Sequence, residues 1–176
     1  GTGATQECFI EHVGIPTLPA VRMAAEALKE LGMHREGVQL IVSGGIRSGA
    51  DVAKAIALGA DAVSIGTAAL IALGDNNPDL EEEYNKLGTT AGFYDEWQAG
   101  DDPAGITTQD EKLAARLDPK KGGEKLANYL KVLTLEAQTL ARACGKSHIR
   151  NLEPEDLNAL TLEASAMAKV PLAGTD

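Results

Sequence analysis

Two short stretches set the chemistry open to this chain: Gly44-Gly45, with Ser43 before and Arg47 just after, and Gly66-Thr67 one helix further along. Adjacent glycines let the backbone turn tightly and approach a ligand with no Cβ in the way. Each stretch stands where an apolar run gives way to a helical pattern, so free backbone N–H groups and the positive end of a helix dipole are expected beside it. Such a place suits an anion, most often a phosphate. Arg47 adds a planar fork able to grip phosphate oxygens with two parallel hydrogen bonds. The plainer alternative is that the glycines only make short strand-to-helix turns, as in many α/β proteins.

The elements around these turns read as one βαβ unit. Val38, Leu40, Ile41 and Val42 form an apolar run without polar alternation, the pattern of a strand buried on both faces. Ser48 to Leu58 carries Val52, Ala53, Ile56 and Ala57 at helical spacing, with Gly59 as its stop, and Ala62 to Ile65 makes the next strand. Ala68-Ala69-Leu70 opens another helix. Both turns thus follow the carboxyl ends of parallel strands, the edge on which parallel barrels bind ligands. Upstream, Pro16 to Leu31 is an amphipathic crossover helix with Val21, Ala24, Ala25 and Leu28 inward and Arg22, Glu26, Lys29 and Glu30 toward water. Phe9 to Val13 is a short element closed by Gly14. No Ser, Cys or carboxylate constellation surrounds His12 in sequence, so it reads as a surface or packing residue and no catalytic residue is assigned.

Beyond Gly74 the composition changes. Asp75-Asn76-Asn77-Pro78 breaks the helix, Asp79 to Leu87 forms a short acidic one, and Thr89 to Asp102 is a long loop containing Phe93, Tyr94 and Trp97, with Tyr84 just upstream. These rings are expected to pack the loop down. Thr108 is the expected N-cap of a helix over Gln109 to Leu117, with Glu111 completing a capping box, and Pro119 stops it. Lys121 to Lys146 reads as a long helix striped by Leu126, Tyr129, Leu130, Leu133, Ala137, Leu140, Ala141 and Cys144; Leu152 to Asp156, then Leu157, Leu160 and Leu162, suggest a helix-turn-helix ending at Val170-Pro171.

A formal net charge of −10 over 176 residues argues against nucleic acid and against an anionic membrane surface as partners. No apolar run reaches membrane-span length. Cys8 and Cys144, far apart and without metal-type spacing, are expected as reduced thiols in a cytoplasmic protein.

GGIRSGADVAKAIALGADAVSIGTAAL resembles the final two βα units of flavin-binding (β/α)8 barrels. Together with the opening GTGA, then HVGIPT, GTAALIALG, PAGITTQD, LDP, LEPEDLNALT and VPLAG in that order, it resembles the FMN-binding domain of the glutamate synthase family over essentially the whole chain. The resemblance implies an α/β fold, the C-terminal portion of a (β/α)8 TIM barrel with an appended α-helical segment. Residues 1–74 would be the last βα units, 75–108 the loop region, and 109–176 a helical extension packed on the barrel. A complete barrel takes about 250 residues, so the remaining strands are expected on the same polypeptide or on a companion chain.

The same resemblance implies an FMN-dependent oxidoreductase that reduces the imine of a 2-oxo acid with an amine or ammonia. It assigns Gly44, Gly45, Arg47, Gly66 and Thr67 to the FMN phosphate, with Ser43 near the ribityl chain, where related flavin barrels often carry Asp; Ser43 can hydrogen-bond a hydroxyl but adds no charge. It also places Gly1, Gly3 and Ala4 in a loop beside flavin and substrate, though a flexible terminus would read the same way. In glutamate synthases the long loop carries three cysteines holding a 3Fe–4S cluster. Counting back from Pro103-Ala104-Gly105-Ile106, those positions fall on Ala91, Trp97 and Asp102, none of which offers the thiolate such clusters require. No iron–sulfur cluster is therefore expected, and an electron path through one is in question. Three readings stay open: part of a glutamate synthase-type enzyme working with an amidotransferase and other subunits, the FMN subunit of N-methylglutamate synthase, and a non-catalytic scaffold or assembly subunit that keeps the barrel fold.

Overall fold

The computed structural model of the chain describes residues 7–94 and 96–175. In chain order its elements are helices α1 (Glu7–His12) and α2 (Thr17–Glu30), strand β1 (Ile41–Ser43), α3 (Gly49–Ala57), β2 (Ala62–Ser64), α4 (Thr67–Leu73), α5 (Glu81–Lys86), α6 (Glu111–Ala114), α7 (Pro119–Ala143) and α8 (Leu162–Ala168). Single 3-10 turns lie at Pro78–Leu80, Trp97–Ala99, Ile149–Asn151 and Pro154–Asp156. The fold is mixed α/β and mostly helical, and the chain gathers into two units, one of residues up to Ile65 with Val132 onward, the other Gly66–Lys131.

In the first unit β1 and β2 pair in parallel, Ile41 opposite Ala62, Val42 opposite Val63 and Ser43 opposite Ser64. Helix α3 connects them and supplies more of the core than any other element: Val52, Ala53, Ala55, Ile56 and Ala57 are all buried. Gly59 ends it at φ +118°, and α2 crosses so closely that a Cβ there would meet the Ala25 methyl at 2.5 Å. Only glycine fits that crossing. The His34 ring bonds the Gly59 carbonyl at 2.9 Å, while the buried Asp61 carboxylate accepts from Leu40 N at 2.8 Å and pairs with Arg35 at 3.4 Å. These contacts fix where the strands begin.

Several expectations are corrected here. The strand after Gly37 is covered on one face only: Val42 is buried, but Ile41 is 61% exposed, because no element of the described chain lies over that side. Val38 belongs instead to an isolated bridge with His34. Arg22, expected in water, keeps only 15% of its side chain exposed and leans on Glu26 at 3.5 Å. Of the helix-turn-helix expected from Leu152 to Val170-Pro171, only the second helix forms, as α8; the first is replaced by a single 3-10 turn at Pro154–Asp156, and Leu160 and Leu162 are exposed. Thr161 caps α8 by accepting from Ala164 N, and Lys169 ties that end back to Glu26 at 2.5 Å.

In the second unit α4 ends at Gly74, φ +127°, and the chain enters a buried Asp75-Asn76 corner with Asn76 at φ +56°. The expected cap of the next helix also moves. Asp110, not Thr108, accepts from Lys112 N and Leu113 N, and α6 ends at Ala114. Two acceptor oxygens two residues apart compete for one helix start, and the carboxylate makes the stronger, charge-assisted bonds. Pro119 opens α7 rather than only stopping its predecessor, as its fixed φ and missing N–H allow at a first helical position.

Candidate functional site

The turn after β1 is built as the spacing predicts. Gly44 and Gly45 take φ of +108° and +74°, conformations an L side chain adopts only with strain. Ile46 tucks in, 8% exposed, and anchors the turn from below. Ser43, Gly45 and Arg47 stay exposed around it, and space is open on the Gly45 Cα. An exposed backbone turn with one arginine beside it, at the carboxyl end of a parallel strand, has the chemistry to receive an anionic group.

The N-terminus of α3 is not. Ser48 caps it by accepting from Asp51 N, and the Asp51 carboxylate answers with bonds from Ser48 N, Ser48 Oγ and Arg47 N, each near 3.0 Å. Burial of Asp51 works against its charge, but these hydrogen bonds outweigh it and hold the carboxyl below its ordinary value. Glu136 of α7 reaches across and accepts from Gly49 N at 2.6 Å. Expected as a free anion seat, this helix end already holds two carboxylates. The capping box is legible in the Ser48-x-x-Asp51 spacing; the Glu136 contact, spanning 87 positions, is not.

Gly66 and Thr67, exposed, open α4 with no side-chain cap and no acidic residue in the first turn. Gly1, Gly3 and Ala4 lie outside the described residues. His12 is exposed at the end of α1, consistent with a surface role.

The loop from Thr89 onward closes inward on carboxylates. Asp102, fully buried, accepts from Tyr84 Oη at 3.2 Å, Ala104 N at 2.9 Å, Ile106 N at 2.9 Å and Thr107 N at 3.1 Å. The Asn76 side chain binds the backbone of Tyr94 in both directions, accepting from its N–H at 2.8 Å and donating to its carbonyl at 2.9 Å, while the Asn76 backbone N–H donates to the Tyr84 hydroxyl at 3.0 Å. Asp75 accepts from Trp97 Nε1 at 2.8 Å. The rings of Tyr84 and Tyr94 meet at 5.5 Å between centroids. Burial pushes the Asp75 carboxyl up, further than the Trp97 bond pulls it down, and the Asp102 charge adds to the rise. Burial, then Asp102, likewise raises the Tyr84 hydroxyl, and pushes Tyr94 up to about 12. Of the rings expected to pack this loop, Tyr94 does so, Trp97 is half-buried, and Phe93 is 79% exposed. Polar satisfaction, not ring burial alone, orders the segment.

Of the three positions at which the resemblance expects cysteine, Asp102 is thus a hydrogen-bond hub and Trp97 a donor to Asp75. Neither side chain is a soft ligand, and the donor set does not fit an iron–sulfur cluster. Among the described residues no group of three His, Cys, Asp or Glu is placed to hold a metal ion, and no helix is long and apolar enough to cross a membrane.

Residues 1–77 and 98–147 match the family described as the conserved region in glutamate synthase. The unmatched interval between them contains Ala91 and Trp97. The chain is 73% identical over 175 residues to a glutamate synthase large subunit-like protein of Rhizobium meliloti (strain 1021), covering 99% of this chain and 39% of that relative. It is 42% identical over 152 residues to an archaeal glutamate synthase (NADPH) of Methanocaldococcus jannaschii, covering 86% of this chain and 26% of the relative. To the chloroplastic ferredoxin-dependent glutamate synthase of Oryza sativa subsp. japonica it is 34% identical over 143 residues, 81% of this chain and 8% of that one. The chain therefore spans well under half the length of these relatives. No solved structure matches it.

Proposed function

The chain belongs to the glutamate synthase family, and from that premise we propose that it is the C-terminal part of an FMN-binding (β/α)8 barrel in a glutamate synthase-type oxidoreductase. The observation that carries this reading is the turn after β1, where two positive-φ glycines and Arg47 surround open backbone at the end of a parallel strand. The open face beside Ile41 and Ser43 supports it further, since parallel sheets are stable when covered on both sides and extended by more strands. The strands that would close it lie on the rest of the polypeptide or on a companion chain. Amidotransferase and further subunits are the partners this reading calls for, and the cytoplasm its setting.

In it, Gly44, Gly45 and Arg47 hold the FMN phosphate and Ser43 offers a hydroxyl to the ribityl chain; the family resemblance carries Gly66 and Thr67 into the phosphate role and Gly1, Gly3 and Ala4 to the substrate side. Bound FMN would supply hydride chemistry for reducing the imine of a 2-oxo acid, while this chain's residues bind and orient. The loop after Thr89 holds no iron–sulfur cluster, because Ala91, Trp97 and Asp102 provide no thiolate. That loss is also compatible with a relative of the divided N-methylglutamate synthases, whose FMN subunit this chain would represent.

Full-length protein should show flavin absorbance and release FMN on denaturation; a colourless protein that takes up no FMN would instead be a scaffold or assembly subunit. Arg47→Ala should weaken FMN binding by about 1.5–3 kcal/mol, the value of a charge-assisted contact, or roughly one to two powers of ten in Kd. A variant that retains flavin through dialysis as well as the parent would remove Arg47 from the site.

A further inference from the structure

Resting on the FMN reading but deepening it, we infer that Glu136 is a positioning residue for the phosphate turn, acting from the long helix α7 through the first turn of α3. Three observations converge. Glu136 takes the N–H of Gly49 at 2.6 Å, in a bond between residues 87 apart. Gly49 itself is buried against α7, where an added Cβ would run into the backbone of Leu133 and Ala137. Arg47 and Ser48, directly before it, have their own N–H groups bound to Asp51 of the same turn. The segment from Arg47 to Asp51 is therefore clamped from both sides, by its own capping box and by α7. Gly44 and Gly45 are the flexible residues of the stretch, and what limits their freedom is how firmly the following helix start is held.

Glu136 also carries a charge that opposes a phosphate, so its contribution to binding comes from order, not attraction. The amide isostere separates the two. Glu136→Gln keeps an oxygen to accept from Gly49 N and discards the charge, whereas Glu136→Ala discards both. Glu136→Asp keeps the charge but draws the carboxylate back by one methylene, and serves if the alanine variant does not fold.

The test uses full-length protein with two readouts, FMN Kd from flavin fluorescence and amide hydrogen exchange over residues 44–51. Glu136→Ala and Glu136→Asp should exchange faster in this segment and bind FMN about three- to tenfold more weakly, the effect of a modest loss of order. Glu136→Gln should match the parent in exchange and bind FMN equally or more tightly. Unchanged exchange over 44–51 in the alanine and aspartate variants overturns the inference, as does faster exchange that leaves FMN affinity at the parent value. If the parent binds no FMN, the flavin reading falls and the phosphate role of Glu136 falls with it, and the exchange data then report only whether α7 holds the turn.

Discussion

The turn after β1 and the loop after α5 are both glycine-rich and both lean on carboxylates, yet they spend their polar groups in opposite directions. In the turn, Asp51 and Glu136 engage the helix start behind it and leave Ser43, Gly45 and Arg47 facing out. In the loop, Asp102, Asp75 and Asn76 gather nearby N–H groups and hydroxyls into the interior. On the reading proposed above, the first is a binding segment held from behind; a structural one closes on itself, since each buried polar group must find a partner. Abundant glycine therefore does not distinguish the two, but the direction of the carboxylate bonds does.

The sharpest way to break this contrast is to remove the hub of the closed loop. Asp102→Leu orphans the N–H groups of Ala104, Ile106 and Thr107 and strands the Tyr84 hydroxyl. At about 1–3 kcal/mol for each unsatisfied buried group, the loss should reach ~3 kcal/mol or more. Hydrogen exchange over residues 89–107 should rise sharply while exchange over 44–51 stays put; a variant as protected as the parent would show that ring packing, not Asp102, orders the loop. Asp102→Cys should not assemble a cluster, because Ala91 and Trp97 still lack thiolates.

Gly49→Ala probes the support behind the open turn. A methyl group directed at the α7 backbone should cost about 1–3 kcal/mol, the usual range for overpacking a filled site. Thermal unfolding of the variant at the parent's midpoint would mean that α7 yields there, and that the turn is not clamped.

A smaller effect separates the regions by pH. Asp75 has its folded pKa raised by burial, so the folded protein takes up this proton before the unfolded chain does. Its contribution to stability should therefore rise as pH falls from neutral through that raised value, and level off below the unfolded value of about 3.9. Asp51 runs the other way: its carboxyl is held low, so the stability it adds is present above that unfolded value and is lost as pH falls through its folded pKa. Urea midpoints of Asp75→Asn should lack the parent's gain on mild acidification; an identical profile would clear Asp75 of any strain. Smallest of all, Phe93→Ala should stay within about 0.5 kcal/mol, as exposed substitutions do, whereas Tyr84→Phe should cost about 1 kcal/mol for its lost hydroxyl bridge. Chemical denaturation compares the pair, and reversal of their order would restore ring packing as the loop's main support.

What this sequence determined by itself is local. The glycines that needed positive φ at 44, 45, 59 and 74, the helical spacing of α2, α3 and α7, and the parallel order of β1 and β2 follow from neighbours a few residues apart. Backbone sterics and hydrophobic periodicity act over that range, and so they can be read along the chain. The family's motifs were legible for the same reason. Tertiary structure alone decided which distant donors the carboxylates serve. Nothing near Asp102 in sequence announces that Tyr84 will lie against it, and nothing near Glu136 points to Gly49. It also decided that Phe93 stays outside while Tyr94 goes in, because two adjacent rings point opposite ways and the pairing of the Tyr94 backbone with the Asn76 side-chain amide selects the side. Such choices turn on burial and on the competition of several donors for one oxygen, which exist only once distant segments have met.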